Sequence, residues 1–278
     1  MHADGDWQAV EVLLTKDMAT VGEYLQTWKL QLSTTRTVSA AFHLNNKEAK
    51  RELKVSLNNQ TLPFCPEPKY FGVTLNRSLT YRRNLESLRK KLTSRVALLR
   101  RLASSGWGSG ATTLRTATLA LVHSTTEYCT PVWYRSAHTG LIDPTIHDAF
   151  RFVTGCLRPT PADNLPTLAG IQPAELRRNG ATLSLARRAM EPGHLLHSAL
   201  TRPSSADARR LISRHPFVPA AQHLISSSDN SNIRAAHWAN HQWNAERADN
   251  PIGLRTFIPD TGTHPLWNEP PKKSLGPA

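Results

Sequence analysis

Cysteine is scarce and scattered. Cys65, Cys129 and Cys156 are the only three, and no two lie close together. That excludes a disulfide scaffold and the paired-cysteine spacing of a zinc site, and it fits a reducing compartment. Long apolar runs are missing as well. Nothing approaches the roughly eighteen consecutive apolar residues expected of a membrane-spanning helix. The opening MHADGDW lacks the basic-then-apolar order of a secretory leader. These absences point to an intracellular protein, nuclear or cytoplasmic, with no membrane partner. Acid is the third shortage: 21 Asp and Glu face 34 Lys and Arg, a formal net charge of +13. So basic a balance favours nucleic acid as the partner.

The groups that carry common enzyme chemistry are also thin. Two-metal nucleotidyl transfer needs paired carboxylates held around a metal site. Asp4 and Asp6 are paired, but they flank Gly5 at the chain end, and a helix-capping role suits them better. His237 and His241 have a metal-compatible spacing, yet no HExxH pattern occurs and no third ligand is placed by spacing. No catalytic residue, metal or cofactor is therefore expected.

What is abundant is positive charge on one helix. Between Thr80 and Leu102 the apolar residues Leu85, Leu88, Leu92, Val96, Leu99 and Leu102 recur at helical spacing and form one stripe. Arg82, Arg83, Arg89, Lys90, Arg100 and Arg101 fall away from that stripe, with Lys91 and Arg95 flanking it. From Arg77 to Arg101 nine basic residues face a single acid, Glu86. A solubilising surface usually mixes signs, so this face reads as a polyanion contact, with a plain solvated face as the alternative.

Upstream, Trp7, Val10, Leu14, Met18, Val21, Leu25 and Trp28 predict a helix over about 7–29. Val38–Leu44, Leu53–Leu57 and Phe71–Leu75 alternate as strands. A small antiparallel sheet covered by the helix is the expected product, since such a sheet needs cover on its apolar face.

Downstream, Ser104 to Gly110 holds three glycines around Trp107, which either stacks on a base or plugs a gap between helices. A helix is expected over about 111–128 on a face of Leu114, Ala117, Leu121 and Tyr128, broken by Pro131. His123 and Glu127, four apart, read as a structural pair. Further helices are expected over about 144–154, with Leu157 continuing the apolar side, and over 173–190. The latter carries Arg177, Arg178, Arg187 and Arg188 as a second basic group on one face. After Pro192 the pattern weakens, and the proline-rich stretch after Asn250 predicts no regular structure.

The fold class expected is α+β: a small antiparallel sheet with a covering helix, then a mainly helical bundle and an irregular tail. The expected divisions are 1–76, 77–190, 191–249 and 250–278.

One stretch resembles a known family. Pro68-Lys69-Tyr70-Phe71-Gly72-Val73-Thr74-Leu75-Asn76-Arg77-Ser78-Leu79-Thr80-Tyr81 is similar to the K-Y-L-G-V-x-L-D-x-x-L-T/S-Y end of the reverse transcriptase palm in non-LTR retrotransposons, especially the jockey and CR1-like group. Trp107-Gly108, Thr113-Leu114-Arg115-Thr116, Glu127-Tyr128-Cys129, Pro131-Val132-Trp133 and Ser213-Arg214-His215-Pro216-Phe217 resemble the region C-terminal to that palm in the same polyproteins. The likeness runs over roughly 7–250. Phe71 stands where the family has Leu, and the swap is expected to keep a buried side chain; Asn76 stands where Asp is frequent.

The family's F/Y-A-D-D turn, which carries its polymerase aspartates, has no counterpart ahead of Trp7. The resemblance therefore implies a non-catalytic palm end and thumb. It places Lys69, Tyr70 and Gly72 near a primer grip, and Arg82, Arg83, Arg89 and Lys90 along an RNA or RNA–DNA backbone. A helical protein-interaction module and a decayed element fragment without function are the other readings.

Overall fold

A computed structural model describes residues 7–43, 48–57, 60–103, 108–201, 217–227, 241 and 243–245. The chain forms two compact units, 1–84 and 85–278. The expected tail at 250–278 lies outside the described residues, as do Asp4, Asp6, Trp107 and His237.

In the first unit helix α1 (Trp7–Thr27) lies over a small antiparallel assembly. Strand β1 (Ser56–Leu57) pairs with β2 (Gln60–Thr61), and β3 (Lys69–Tyr70) with β4 (Val73–Thr74). Ser39 adds a single parallel bridge to Phe64. Ala41, Leu53, Val55, Leu57 and Leu62 form the core, with Trp7, Met18, Leu32 and Phe64 packed against it. The Leu53–Leu57 alternation thus does what its period requires, burying every second side chain.

Three sequence expectations change here. Over the described residues 38–43 the expected strand is only the Ser39 bridge, and Ser39 and Ala41 are buried while Val38 and Phe42 are exposed. Helix α1 meets the sheet along Trp7, Glu11, Thr15, Met18 and Gly22 rather than along its most apolar stripe. Glu11 accepts the Lys54 N–H at 3.0 Å, Thr15 accepts that of Ser56 at 3.4 Å, and a Cβ on Gly22 would sit 3.7 Å from Leu57. Backbone donors of the sheet need acceptors, and a polar stripe supplies them. Val12, Leu14, Val21, Tyr24 and Trp28 are left exposed, Val12 at 71% and Trp28 at 65%.

Phe71, expected to be buried, is also exposed, at 72%. The Tyr70–Val73 pairing leaves Phe71-Gly72 as a two-residue turn, with φ of 44° and 81°. Positive φ at both central residues is the hairpin geometry that matches strand twist.

The second unit is helical: α2 (Arg82–Leu102, entering from the first unit), α3 (Ala111–Thr118), α4 (Ser124–Glu127), α5 (Thr130–Trp133), α6 (Asp143–Thr154), α7 (Leu165–Ala169), α8 (Ala174–Ala189), α9 (His197–Thr201) and α10 (Phe217–Ser227). A π-helical turn, Leu119–His123, joins α3 to α4. This extra residue per turn rotates the burial pattern. Leu114, Thr118, Val122, His123 and Thr126 turn inward, while Tyr128 is exposed, against the expected face through Leu121 and Tyr128.

The break also falls earlier than Pro131. Cys129 takes a left-handed conformation between α4 and α5, and Pro131 sits in the first turn of α5, where a missing N–H costs nothing. Trp133 fills the bundle at 1% exposure and donates Nε1–H to the Tyr128 carbonyl at 3.3 Å. Ile142, Ile146, Ala149, Phe150 and Val153 seal α6. Gly155, at φ 71°, ends that helix in the left-handed region that favours glycine, and so Leu157 projects outward instead of continuing the apolar side.

Candidate functional site

Helix α2 separates its two chemistries along its length. Leu85, Leu88, Leu92, Val96 and Leu99 are buried, as their spacing predicts, and Leu102 is exposed beyond the end of the stripe. Arg82, Arg83, Arg89, Lys90, Arg100 and Arg101 are all exposed. At 3.6 residues per turn these six fall within a sector of about 120°. The four at the N-terminal end span two turns, and Arg100 lies about 15 Å beyond Lys90 along the axis. Arg100 and Arg101 occupy the last turn, where cations complement the helix dipole. Arg95 is diverted inward and donates to the Leu121 carbonyl at 2.8 Å, so it leaves the outer face.

The sequence-predicted residues Lys69, Tyr70 and Gly72 sit together on the β3–β4 hairpin, all exposed. Tyr70 and Phe71 meet edge to face with ring centroids 4.5 Å apart. The hairpin is tied to the first turn of α2. Asn84 accepts the Thr74 N–H at 3.1 Å, and Arg83 pairs with Glu67 at 3.3 Å. Asn76 braces the connection: its Oδ1 accepts the Tyr81 N–H at 2.8 Å, and its Nδ2 donates to Ser78 and Thr80 at 3.1 and 2.8 Å. An Asp there would accept the first bond but could not donate the other two. Burial raises the Tyr81 hydroxyl pKa above its ordinary value.

A second polar cluster lies inside the bundle. His123, 1% exposed, stacks on Phe150 at 5.7 Å, and its Nδ1 is 3.6 Å from Glu127 Oε1. Glu127 also accepts from Arg177 Nε, and Arg178 binds Asp143 at 3.0 Å. Burial pushes His123 below its ordinary pKa, with Arg177 and Arg178 acting in the same sense against Glu127. Burial alone would raise Glu127, but the bonds from His123 and Arg177 outweigh it and hold the carboxyl down.

His123 and Glu127 are therefore the pair their spacing predicts, joined by an arginine fifty residues away that only the tertiary fold supplies. The same contacts dissolve the expected second basic face. Arg178 is buried, Arg177 is half-buried on Glu127, and Arg188 is exposed. The Thr126 hydroxyl donates to the His123 carbonyl at 3.0 Å, and Glu127 ties α4 to α8 through Arg177, so the arrangement links helices. Among the described residues no group of three or more His, Cys, Asp and Glu is placed to hold a metal ion. No described helix is long and apolar enough to cross a membrane.

No family model matches the chain, and no solved structure does. Two curated proteins are similar to it. Over 162 aligned positions the chain is 30% identical to the Retrovirus-related Pol polyprotein from type-1 retrotransposable element R1 4 of Nasonia vitripennis, an alignment covering 52% of this chain and 41% of that protein. Over 160 aligned positions it is 26% identical to the Putative 115 kDa protein in type-1 retrotransposable element R1DM of Drosophila melanogaster, an alignment covering 55% of this chain and 15% of that protein. The matched stretch is thus less than half of either relative. The likeness is a distant one, to retrotransposon Pol-type proteins.

Proposed function

We propose that this chain is a non-catalytic reverse-transcriptase-like segment of a retrotransposon protein that holds an RNA or RNA–DNA duplex by its phosphate backbone. The observation that carries the reading is α2: six exposed cations share one sector of a helix whose leucine stripe is buried. Distant likeness to retrotransposon Pol proteins supports the choice of polyanion. In this reading residues 1–76 are a palm-end remnant and 77–190 a thumb-like domain. Lys69, Tyr70 and Gly72 lie toward the primer end of the duplex. Arg82, Arg83, Arg89, Lys90, Arg100 and Arg101 contact phosphates, so binding is nearly independent of sequence.

The test is salt-titrated binding of a labelled RNA–DNA duplex to the wild-type chain and to an Arg82→Ala, Arg83→Ala, Lys90→Ala triple variant. The triple variant loses affinity for all duplexes alike. Its salt slope flattens by up to about 0.9 per lost contact, the counterion yield of a duplex phosphate. The three side chains lie off the leucine stripe, so the fold survives their removal. Leu92→Ala is the control, since it costs about 2–5 kcal/mol of stability and removes no charge. Equal affinity of wild type and triple variant, or none in either, overturns the reading in favour of a fragment without this role. The chain is expected to give no primer extension on a primed RNA template with Mg²⁺ or Mn²⁺ above a no-protein background.

A further inference from the structure

The outer face of α2 is not purely basic. Glu86, the only acid on the helix, sits three and four residues from Arg83, Arg82, Arg89 and Lys90. Residues three and four apart are neighbours on a helix surface, so one carboxylate lies within side-chain reach of all four cations. Glu86 is half-buried and its neighbours are exposed. Arg82, Arg83 and Glu86 are each partnered. A second carboxylate, Glu67, pairs with Arg83 at 3.3 Å. The two ends of the basic face therefore differ. Four cations at the N-terminal end have a carboxylate within reach, whereas Arg100 and Arg101 have no acid within four residues on their helix.

We infer that Glu86 is a specificity-determining residue of this face, an internal competitor that makes the N-terminal cations available only to a ligand able to displace it. A phosphodiester backbone does so, because several phosphates approach together and released counterions drive the exchange. A single small anion meets the four cations one at a time, with Glu86 already at their centre, and gains little. Arg83, held by Glu67 and within reach of Glu86, gives up both carboxylates for phosphate on binding, as Arg82, Arg89 and Lys90 give up Glu86. The inference rests on the proposed duplex-binding role of α2 and names what that face selects.

The experiment compares the whole chain with its Glu86→Gln variant, which keeps the side-chain shape and removes the charge. Binding of a labelled RNA–DNA duplex is read at low and at moderate salt, with inorganic pyrophosphate as the small-anion competitor. Glu86→Gln should bind duplex about threefold to tenfold tighter at low salt, with the gain shrinking as salt screens the carboxylate. Pyrophosphate should displace duplex from the variant at lower concentration than from wild type. Circular dichroism and thermal melting confirm that both are folded. Wild-type binding with an unchanged variant affinity overturns the role of Glu86 and leaves the duplex reading standing. A weaker variant overturns it also, showing that Glu86 preorganises the arginines instead. No duplex binding by either protein overturns both.

Discussion

Two tryptophans separate the two units of this protein. Trp28 follows directly on α1, and Trp133 ends α5. Each comes at the end of a helix, yet Trp28 is 65% exposed and Trp133 is 1% exposed. The difference lies in what the rest of the chain offers as a partner. In the bundle, several helices present apolar faces at once. In the first unit the sheet is small, and it takes the polar stripe of α1 because that stripe satisfies its N–H groups. Periodicity reports what a helix is able to bury, not what it finds to bury against.

The sharpest way to break this comparison is one substitution made twice. Trp133→Ala removes a side chain in a close-packed interior and should cost about 3–5 kcal/mol, read by denaturant unfolding of the second unit. Trp28→Ala should change stability by less than about 0.5 kcal/mol. Similar costs at the two sites would mean that Trp28 is packed in solution.

Ion pairs give the same contrast at smaller scale. Glu127 links His123 to Arg177 within the bundle, and Glu127→Ala leaves an arginine and a buried imidazole without their acceptor. A loss of about 2 kcal/mol is expected. Glu67→Ala breaks a pair whose side chains are 44% and 63% exposed, and about 0–1 kcal/mol is expected. A double-mutant cycle over Glu127 and Arg177 measures the first directly.

Acid should act on the bundle through the same cluster. His123 is held below its ordinary value of 6.5, so in the folded state it binds its proton less readily than in the unfolded state. The unfolded chain then takes up more protons as pH falls below about 6.5, and stability drops. Glu127, held below 4.5, contributes stability above that pH and loses it as pH falls further through its folded value. Unfolding midpoints measured down a pH series should fall in two stages. His123→Phe, which keeps a ring against Phe150, should shrink the first stage, leaving the part due to His147, which burial also holds low, and should weaken the second, because Glu127 then keeps only Arg177 against its own burial.

How much of this is written in the sequence depends on the distance over which each contact acts. The buried stripe of α2 and the His123–Glu127 pair follow from spacing within one helix, and both are present. So is the cationic sector, because charge on an exposed face needs no partner to be legible. The links from Arg177 to Glu127 and from Arg178 to Asp143 join positions 50 and 35 residues apart, which no local period predicts. The π turn at Leu119–His123 is invisible for another reason. LALVH fits an ordinary helix equally well, and the extra residue shows only in which side chains turn inward. The Phe71 turn is legible only in part. Phe-Gly is a weak hairpin signal beside Asn-Gly, so alternation across 71–75 is the stronger cue, right for buried Val73 and wrong for Phe71.

That turn supplies the smallest expected effect. A non-glycine residue in the left-handed region costs about 1–2 kcal/mol, and Asn is among the side chains that enter it most readily. Phe71, at φ 44°, carries that cost while its ring stays exposed. Phe71→Asn should relieve most of the strain. It also removes the edge-to-face contact with Tyr70, a pair worth about 0.5–1.5 kcal/mol when buried and less in water. The net expectation is a gain of about 0.5 kcal/mol in the first unit, read as a higher unfolding midpoint at unchanged denaturant slope. Tyr70→Ala isolates the ring pair, since it leaves the turn residues in place. A destabilised Phe71→Asn with a neutral Tyr70→Ala would place the Phe71 ring in a contact other than the one with Tyr70. The first unit would then be better sealed at its hairpin than along α1.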